Sequence, residues 1–175
     1  MSPIGAMQFS QQGRNNTIRF EGWKRQPYRD SGGRWTLGVG HLLVPSDGIF
    51  PQEYYYWDSN RKIWDIKPGF VSTVESAQFT DGQVGEIFER DLADAETAIK
   101  RNVHVPLTQG QYDALMDFAH NIGETQFAAS TLVKKLNNSD YEGAWQEFDR
   151  WIYDDGRVVA QLQTRRDAAQ ALFLT

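Results

Sequence analysis

The sequence predicts an α+β fold in which helix dominates, a small N-terminal β lobe followed by a C-terminal helical lobe. Three observations carry this. Residues 27–44, PYRDSGGRWTLGVGHLLV, place two short runs rich in aromatic and β-branched residues on either side of Ser31-Gly32-Gly33, the pattern of a β-hairpin. From residue 80 onward, apolar residues recur at helical spacing. With 175 residues, 40% of them hydrophobic and 23% charged, the chain is globular and buries roughly 70% of its unfolded surface. One core of that size holds without disulfides or a metal.

Taken in order, Gln11–Phe20 reads as a short helix that stops at the Glu21-Gly22 step. The hairpin follows, and Gly38 and Gly40 read as alternating residues of its second strand. No strand–turn–helix context surrounds them, so they are not a phosphate loop. Residues 45–79 hold three of the six prolines, Pro45, Pro51 and Pro68, and show no clear period, which predicts a loop or a small sheet extension. Thr80 with Gln83 forms a capping-box signal. Val84, Ile87, Phe88, Leu92, Ala95 and Ile99 then mark one helix face, broken by Pro106. Thr108 with Gln111 repeats the signal, and Tyr112, Leu115, Met116, Ala119 and Ile122 form a second face that Gly123 stops. Shorter helices are predicted over 130–137, 140–153 and 161–173. The chain reads as a single domain over 1–175. About 10–79 makes the N-terminal helix, hairpin lobe and an aromatic-rich segment, and 80–175 makes the helical lobe.

Composition narrows the chemistry. There is no cysteine, which removes disulfide scaffolds, thiolate metal sites and cysteine nucleophiles together. Three histidines are too few for a histidine-rich metal cluster. No apolar run approaches the roughly 20 residues of a membrane span. The opening MSPIGAMQFSQQGRNN has neither a charged n-region nor an apolar h-region, so no secretory signal is expected there. Net charge is -5 but unevenly spread. Residues 1–50 carry six basic and three acidic side chains, a balance of +3, and the remaining 12 basic and 20 acidic ones give -8 beyond. An acidic chain with one basic end argues against general nucleic-acid binding and leaves room for local contact with a polyanionic surface.

The densest group of unusual choices lies between Phe20 and Leu43. Glu21 stands between Phe20 and Gly22-Trp23, where apolar neighbours would desolvate its carboxylate and raise its pKa, as a general acid requires. Asp30 comes nine residues later in the polar run Arg29–Gly33 and should stay ionised. Thr36 follows by six, across the turn, where its hydroxyl would help Asp30 hold a water. One carboxyl kept neutral and one kept charged is the pairing that glycoside hydrolysis uses. On spacing alone the plainer reading is favoured, Glu21 as a helix-end charge and Asp30 as an ordinary turn residue.

The surrounding residues add a resemblance. Phe20-Glu21-Gly22, Tyr28-Arg29-Asp30-Ser31 and Trp35-Thr36-Leu37-Gly38-Val39-Gly40-His41 closely resemble the phage-type lysozymes of glycoside hydrolase family 24. So do Arg90-Asp91-Leu92, Val105-Pro106-Leu107-Thr108-Gln109, Asn121-Ile122-Gly123, Phe148-x-x-Trp151 and Arg165-Arg166 with Leu172-Phe173, all in order. The resemblance implies a lysozyme-like fold and a muramidase that cuts the β-1,4 bond between N-acetylmuramic acid and N-acetylglucosamine, without cofactor or metal, by an inverting single displacement. It implies that Glu21 protonates the glycosidic oxygen while Asp30, assisted by Thr36, positions and activates water. It also points to Leu42, His120 and Asn121 as substrate-binding; His120 stands where other members carry an apolar residue.

Other residues read as structural: His41 as a hydrogen-bonding residue under the hairpin, Trp145 and Trp151 as helix core, Arg165 and Arg166 as braces of the last helix. Residues 44–79 form a longer link than the family pattern leads one to expect. Seven of the 23 aromatic residues fall within Phe50–Phe70, and they pack as an extra small core or present Tyr54–Trp57 to sugar rings or a protein partner. The expected role is lysis of bacteria by a phage, as a monomer acting on peptidoglycan glycan strands. The protein would accumulate in the producing cell's cytoplasm and reach the wall once the membrane is permeabilised. The alternatives are a virion- or tail-associated lysozyme docked to a phage structural protein through 45–79, in particular 50–70, a lytic transglycosylase, and a non-catalytic glycan-binding protein. Asp30 and Thr36 count against the second, and Glu21 against the third.

Overall fold

The structure is a computed structural model and describes residues 4–154 and 156–175. In chain order, helix α1 (Gln11–Glu21) leads into strands β1 (Lys24–Arg29), β2 (Trp35–Gly38) and β3 (His41–Leu42). A second hairpin, β4 (Tyr55–Asp58) and β5 (Ile63–Ile66), precedes α2 (Val71–Ser76) and the long α3 (Asp81–Asn102). Then come α4 (Gln109–Ile122), α5 (Glu124–Ala129), α6 (Thr131–Asn137) and α7 (Tyr141–Gln146). Strands β6 (Tyr153–Asp154) and β7 (Arg157–Val158) and helix α8 (Ala160–Phe173) complete the run.

The chain divides into two compact units, Glu21–Arg90 and the residues up to Phe20 together with Asp91–Thr175. This redraws the expected grouping of 10–79 against 80–175. Helix α1 groups with the later helices, bonded there through Ser10, the residue just before it, and through the Thr17 side chain. Ser10 N donates to Asp113 Oδ1 at 3.0 Å, and Thr17 Oγ1 donates to Asp117 Oδ1 at 2.8 Å. Helix α3 contributes Asp81–Arg90 to one unit and the rest to the other.

In the Glu21–Arg90 unit, β1, β2 and β3 form one antiparallel sheet in that order. The register between β1 and β2 slips between Lys24 and Tyr28. The slip spans Pro27, which has no N–H to give a ladder. Gly38 and Gly40 do not alternate along a strand as expected. Both have positive φ, +67° and +78°, and flank the turn that sends β2 into β3. Of the loop or small sheet extension expected over 45–79, the aromatic-rich segment forms the second, a hairpin. Tyr55 pairs with Ile66 and Trp57 with Trp64. Its inner residues, Tyr55 and Ile66, join Trp35, Leu37, Leu43, Val74 and Ile87 in a buried core, with Phe50, Tyr54, Phe70 and Phe79 packed against it. The Tyr54 and Phe70 rings stack at 4.1 Å between centroids. Tyr56, Trp57 and Trp64 stay exposed, and the two indoles meet edge to face at 5.5 Å. The segment thus divides between the two expected fates, core for most of its rings and surface for three.

The other unit is helical. The capping box at Thr108 is complete, with both Thr108 and Gln111 side chains engaged. Gly123 ends α4 with φ of +81°. The box at Thr80, in the Glu21–Arg90 unit, is also formed, Thr80 N donating to Gln83 Oε1 at 2.9 Å and Gln83 N to Thr80 Oγ1 at 3.2 Å. Helix α3 ends at Asn102, four residues before Pro106, where the Asn102 amide turns back to the Ala98 carbonyl at 2.8 Å. Phe118 is fully buried and meets Phe127, Phe148 and Trp151 edge-on. The predicted helix over 140–153 is α7 followed by a 3-10 turn through Trp151, then β6. Helix α5 is not predicted: six residues with one buried side chain, Phe127, are too short to show a period. Among the described residues, no helix is long and apolar enough to cross a membrane.

Candidate active site

Glu21 is the last residue of α1, half-buried, immediately before Gly22 turns the chain at φ of +80°. Its carboxylate lies against the backbone of Gly40. A Cβ on Gly40 would stand 2.7 Å from Glu21 Oε2, 2.8 Å from Cδ and 3.3 Å from Cγ. Gly40 also has φ of +78°, which an L-residue adopts only with strain. The family-like Gly38-Val39-Gly40 run therefore gives the carboxyl group its seat.

Asp30 opens the turn between β1 and β2. Its backbone N donates to Arg34 O at 2.9 Å, and its own carbonyl accepts from Gly33 N at 2.9 Å. Its Oδ1 accepts from Arg34 N at 2.8 Å, and its Oδ2 from Arg34 Nε at 2.8 Å, with Arg34 Nη2 at 2.7 Å. The turn thus folds around the carboxylate and an arginine faces it. Thr36, on β2, is 2% exposed and donates to Arg34 O at 3.2 Å. It stands opposite Tyr28 on β1 and Leu42 on β3.

Tyr28 ties these positions together. Its phenol is pushed above the usual tyrosine range by burial first, then by the charges of Glu21 and Asp30. Both carboxylates therefore act on the side chain that pairs across the sheet with Thr36. Leu42, 39% exposed, lies on edge strand β3 beside Thr36.

In the helical unit, His120 and Asn121 sit half-buried in the last turn of α4. Asn121 Oδ1 accepts a hydrogen bond from Arg166 Nη2. The arginines behave as braces. Arg165 donates to both oxygens of the buried Asp117, at 3.0 and 2.9 Å, and Arg166 donates to Trp151 O at 3.1 Å. Trp145 Nε1 donates to Gln170 O at 3.2 Å. His41 Nε2 lies 3.4 Å from Asp47 Oδ2, a carboxylate that also holds the Val44 and Ile49 amides at 2.8 Å.

A family model described as phage lysozyme matches residues 18–169. The chain belongs to the phage lysozyme family. It is a glycoside hydrolase of the muramidase kind, a phage peptidoglycan hydrolase. The endolysin of Salmonella phage P22 is 34% identical over 169 residues, 97% of this chain and 99% of that protein. An endolysin of Acyrthosiphon pisum secondary endosymbiont phage 1 is 33% identical over 171 residues, 95% and 98% of the two chains. The muramidase domain of SpmX from Asticaccaulis excentricus superposes with a TM-score of 0.71 at 29% identity, covering 96% of this chain and 98% of that one.

Within this phage lysozyme frame, several residues around the carboxylates were not foreseen from sequence. Arg34, Tyr28 and Gly40 each bear on Glu21 or Asp30, yet nothing in their spacing marks them. Arg61 and Asp65, in the second hairpin, reach the Asp30 turn from more than 25 positions away in the chain. Tyr28 and Gly40 lie within the family-like motifs, and a glycine inside a strand-like run often marks close approach of backbone to another group.

Proposed function

We propose that the chain cleaves the β-1,4 bond between N-acetylmuramic acid and N-acetylglucosamine by a single inverting displacement. Glu21 donates its proton to the departing glycosidic oxygen. Asp30 holds the attacking water and stabilises the positive charge that develops on the sugar, and the Thr36 hydroxyl helps orient that water. One observation carries this reading: Glu21 has its carboxylate seated against Gly40 between β2 and β3, while Asp30 opens the turn between β1 and β2 of the same sheet, with the buried Thr36 on β2. Direct attack by water needs the two carboxyl groups roughly 6.5–9.5 Å apart, and the retaining alternative about 5–5.5 Å. The peptidoglycan strand is the substrate, with Leu42, His120 and the Asn121 amide as its contacts away from the bond cut. The protein works as a monomer without cofactor and meets the wall once the producing cell's membrane is permeabilised.

Mass spectrometry of the fragments tests the reaction class, because hydrolysis leaves reducing muramic ends and transglycosylation leaves anhydro-muramic ends. Proton NMR of fresh product tests the stereochemistry. The α-anomer appears first if water attacks directly, and a β-anomer first would mean a covalent intermediate.

A further inference from the structure

Asp30 sits in a four-bond turn, and the second hairpin reaches that turn through two arginines. Arg61, at the tip between β4 and β5, donates from Nη2 to Gly33 O at 3.0 Å, with Gly32 O at 3.5 Å, and from Nη1 to Asp65 Oδ2 at 2.9 Å. Arg29, at the end of β1, donates from Nη1 to the same Gly33 O at 2.7 Å and from Nη2 to Asp65 Oδ1 at 3.0 Å. The same Asp65 oxygen accepts Ile66 N at 2.7 Å. Arg29 Cζ also lies over the Trp35 ring, 4.5 Å from its centroid. Gly33 admits this arrangement by having no side chain. A Cβ there would stand 2.7 Å from Arg61 Nη2, and its φ is +72°.

Asp65 is 4% exposed. Burial acts to raise its pKa, but the Arg29 bond, the Ile66 N–H and the charges of Arg29 and Arg61 outweigh that and hold it below the usual carboxylate range. A buried carboxylate that satisfies two guanidinium groups fixes both in place. Each of those groups has its other arm on the Gly33 carbonyl, and the Gly33 N–H donates to the Asp30 carbonyl. The Asp30 turn is therefore clamped at one peptide from outside its own strands.

We propose that Asp65, Arg61 and Arg29 form a positioning device, by which the second hairpin sets the place of the Asp30 carboxylate for the reaction. This rests on the assignment of Asp30 to the water-holding role. The device does not touch substrate. It limits how far the turn can drift, and a drift of about 1 Å at a reacting group costs on the order of 10²-fold in rate.

The test compares Arg61→Ala, Arg61→Lys and Asp65→Asn with Lys67→Ala and Asp30→Asn. Lys67 follows β5, and its Nζ donates to Glu53 O just before β4 at 2.7 Å, a side-chain bond that does not reach the Asp30 turn. Initial rates are taken on soluble glycan fragments, well below each variant's melting midpoint and corrected for folded fraction. Arg61 is a half-exposed side chain, so Arg61→Ala keeps the fold. Its kcat is expected to fall roughly 10-fold or more with KM unchanged. Arg61→Lys, which keeps the charge but lacks the fork, should fall between Arg61→Ala and wild type, and Lys67→Ala should match wild type. Asp65→Asn should lose kcat at least as far, and if it fails to fold, the Arg61 pair decides alone. Wild-type kcat in Arg61→Ala, with Asp30→Asn inactive, overturns the positioning device and leaves the Asp30 role standing. Full activity in Asp30→Asn overturns that role and this inference with it. An equal fall in Lys67→Ala and Arg61→Ala would mean that any loosening of the hairpin suffices, which also overturns the device.

Discussion

Replacing Gly40 by alanine sets the seat of the proposed acid against the fold around it. The added methyl would lie 2.7 Å from Glu21 Oε2, against the 3.4 Å at which ordinary contact begins, so the carboxyl group must retreat by at least 0.7 Å. The end of a glutamate side chain can make that move, so the clash is relieved without unfolding. The backbone adds strain, since φ of +78° costs an L-residue roughly 1–2 kcal/mol. In a chain of this length that corresponds to a fall of about 2–8 °C in Tm. Displacement of the proton donor is the larger effect: kcat/KM should fall roughly 10- to 100-fold. Gly48→Ala is the matching control, because Gly48 has φ of +71° and nothing within 4 Å of its added Cβ. It should lose similar stability and no activity. Clearing of chloroform-permeabilised cells gives the rate, and thermal melts followed by circular dichroism give the stability. Wild-type turnover in folded Gly40→Ala would refute the argument, as would an equal loss of turnover in Gly48→Ala.

The remaining predictions concern the carboxylates and the helical core. Glu21→Gln should remove nearly all lysis while melting near wild type, because an amide cannot supply the proton and general acid catalysis is typically worth about 10²–10⁴-fold. Thr36→Val keeps the volume of a side chain that is 2% exposed and should cost less than Asp30→Asn in the same assay. Asp117→Asn should lower stability by roughly 3–5 kcal/mol in urea melts, because it breaks a buried ion pair and a two-bond contact to Arg165. Burial opposes its charge, yet Arg165 and the Thr17 hydroxyl hold the Asp117 carboxyl below its usual range. With its folded pKa below the unfolded value, its contribution is present above about pH 4 and is lost as pH falls further, through the folded pKa. The acid limb of the stability curve should therefore be shallower in Asp117→Asn than in wild type. An unchanged limb would mean that other carboxylates govern acid unfolding.

Local signals carried most of the architecture. Each capping box, the Ser31–Gly33 turn and the Gly123 stop is written within four residues, and each forms as read. Glu21, Asp30 and Thr36 could be selected because their motif lies in one short stretch. What failed to show was long-range or lacked a period. Helix α1 looked like part of the β lobe until Asp113 and Asp117, about 100 positions away, were seen to hold Ser10 and Thr17. The aromatic-rich segment read as a loop or a small sheet extension, and the sequence left the two open because its strands are four residues each and bury on alternating sides only in part. Arg61 and Asp65 gave no hint of their reach toward Gly33, since an arginine and an aspartate four apart read as an ordinary surface pair.

The bonds from α1 to α4 set an order of events during synthesis. Thr17 leaves the ribosome early, but its partner Asp117 follows 100 residues later, and Arg165, which neutralises Asp117, another 48 after that. The intervening Glu21–Arg90 stretch makes its own core and can collapse while the helical unit is still incomplete. Closing so long a loop is entropically costly and slow. Until α8 arrives, Asp117 would enter the core as an unneutralised charge, so the helical core has little reason to close around it. Helix α1, whose last residue is Glu21, is thus anchored only when nearly the whole chain has been made. Incomplete chains that stop before Arg165 would hold every residue of the proposed catalytic group and still lack the fixed helix end from which its acid projects.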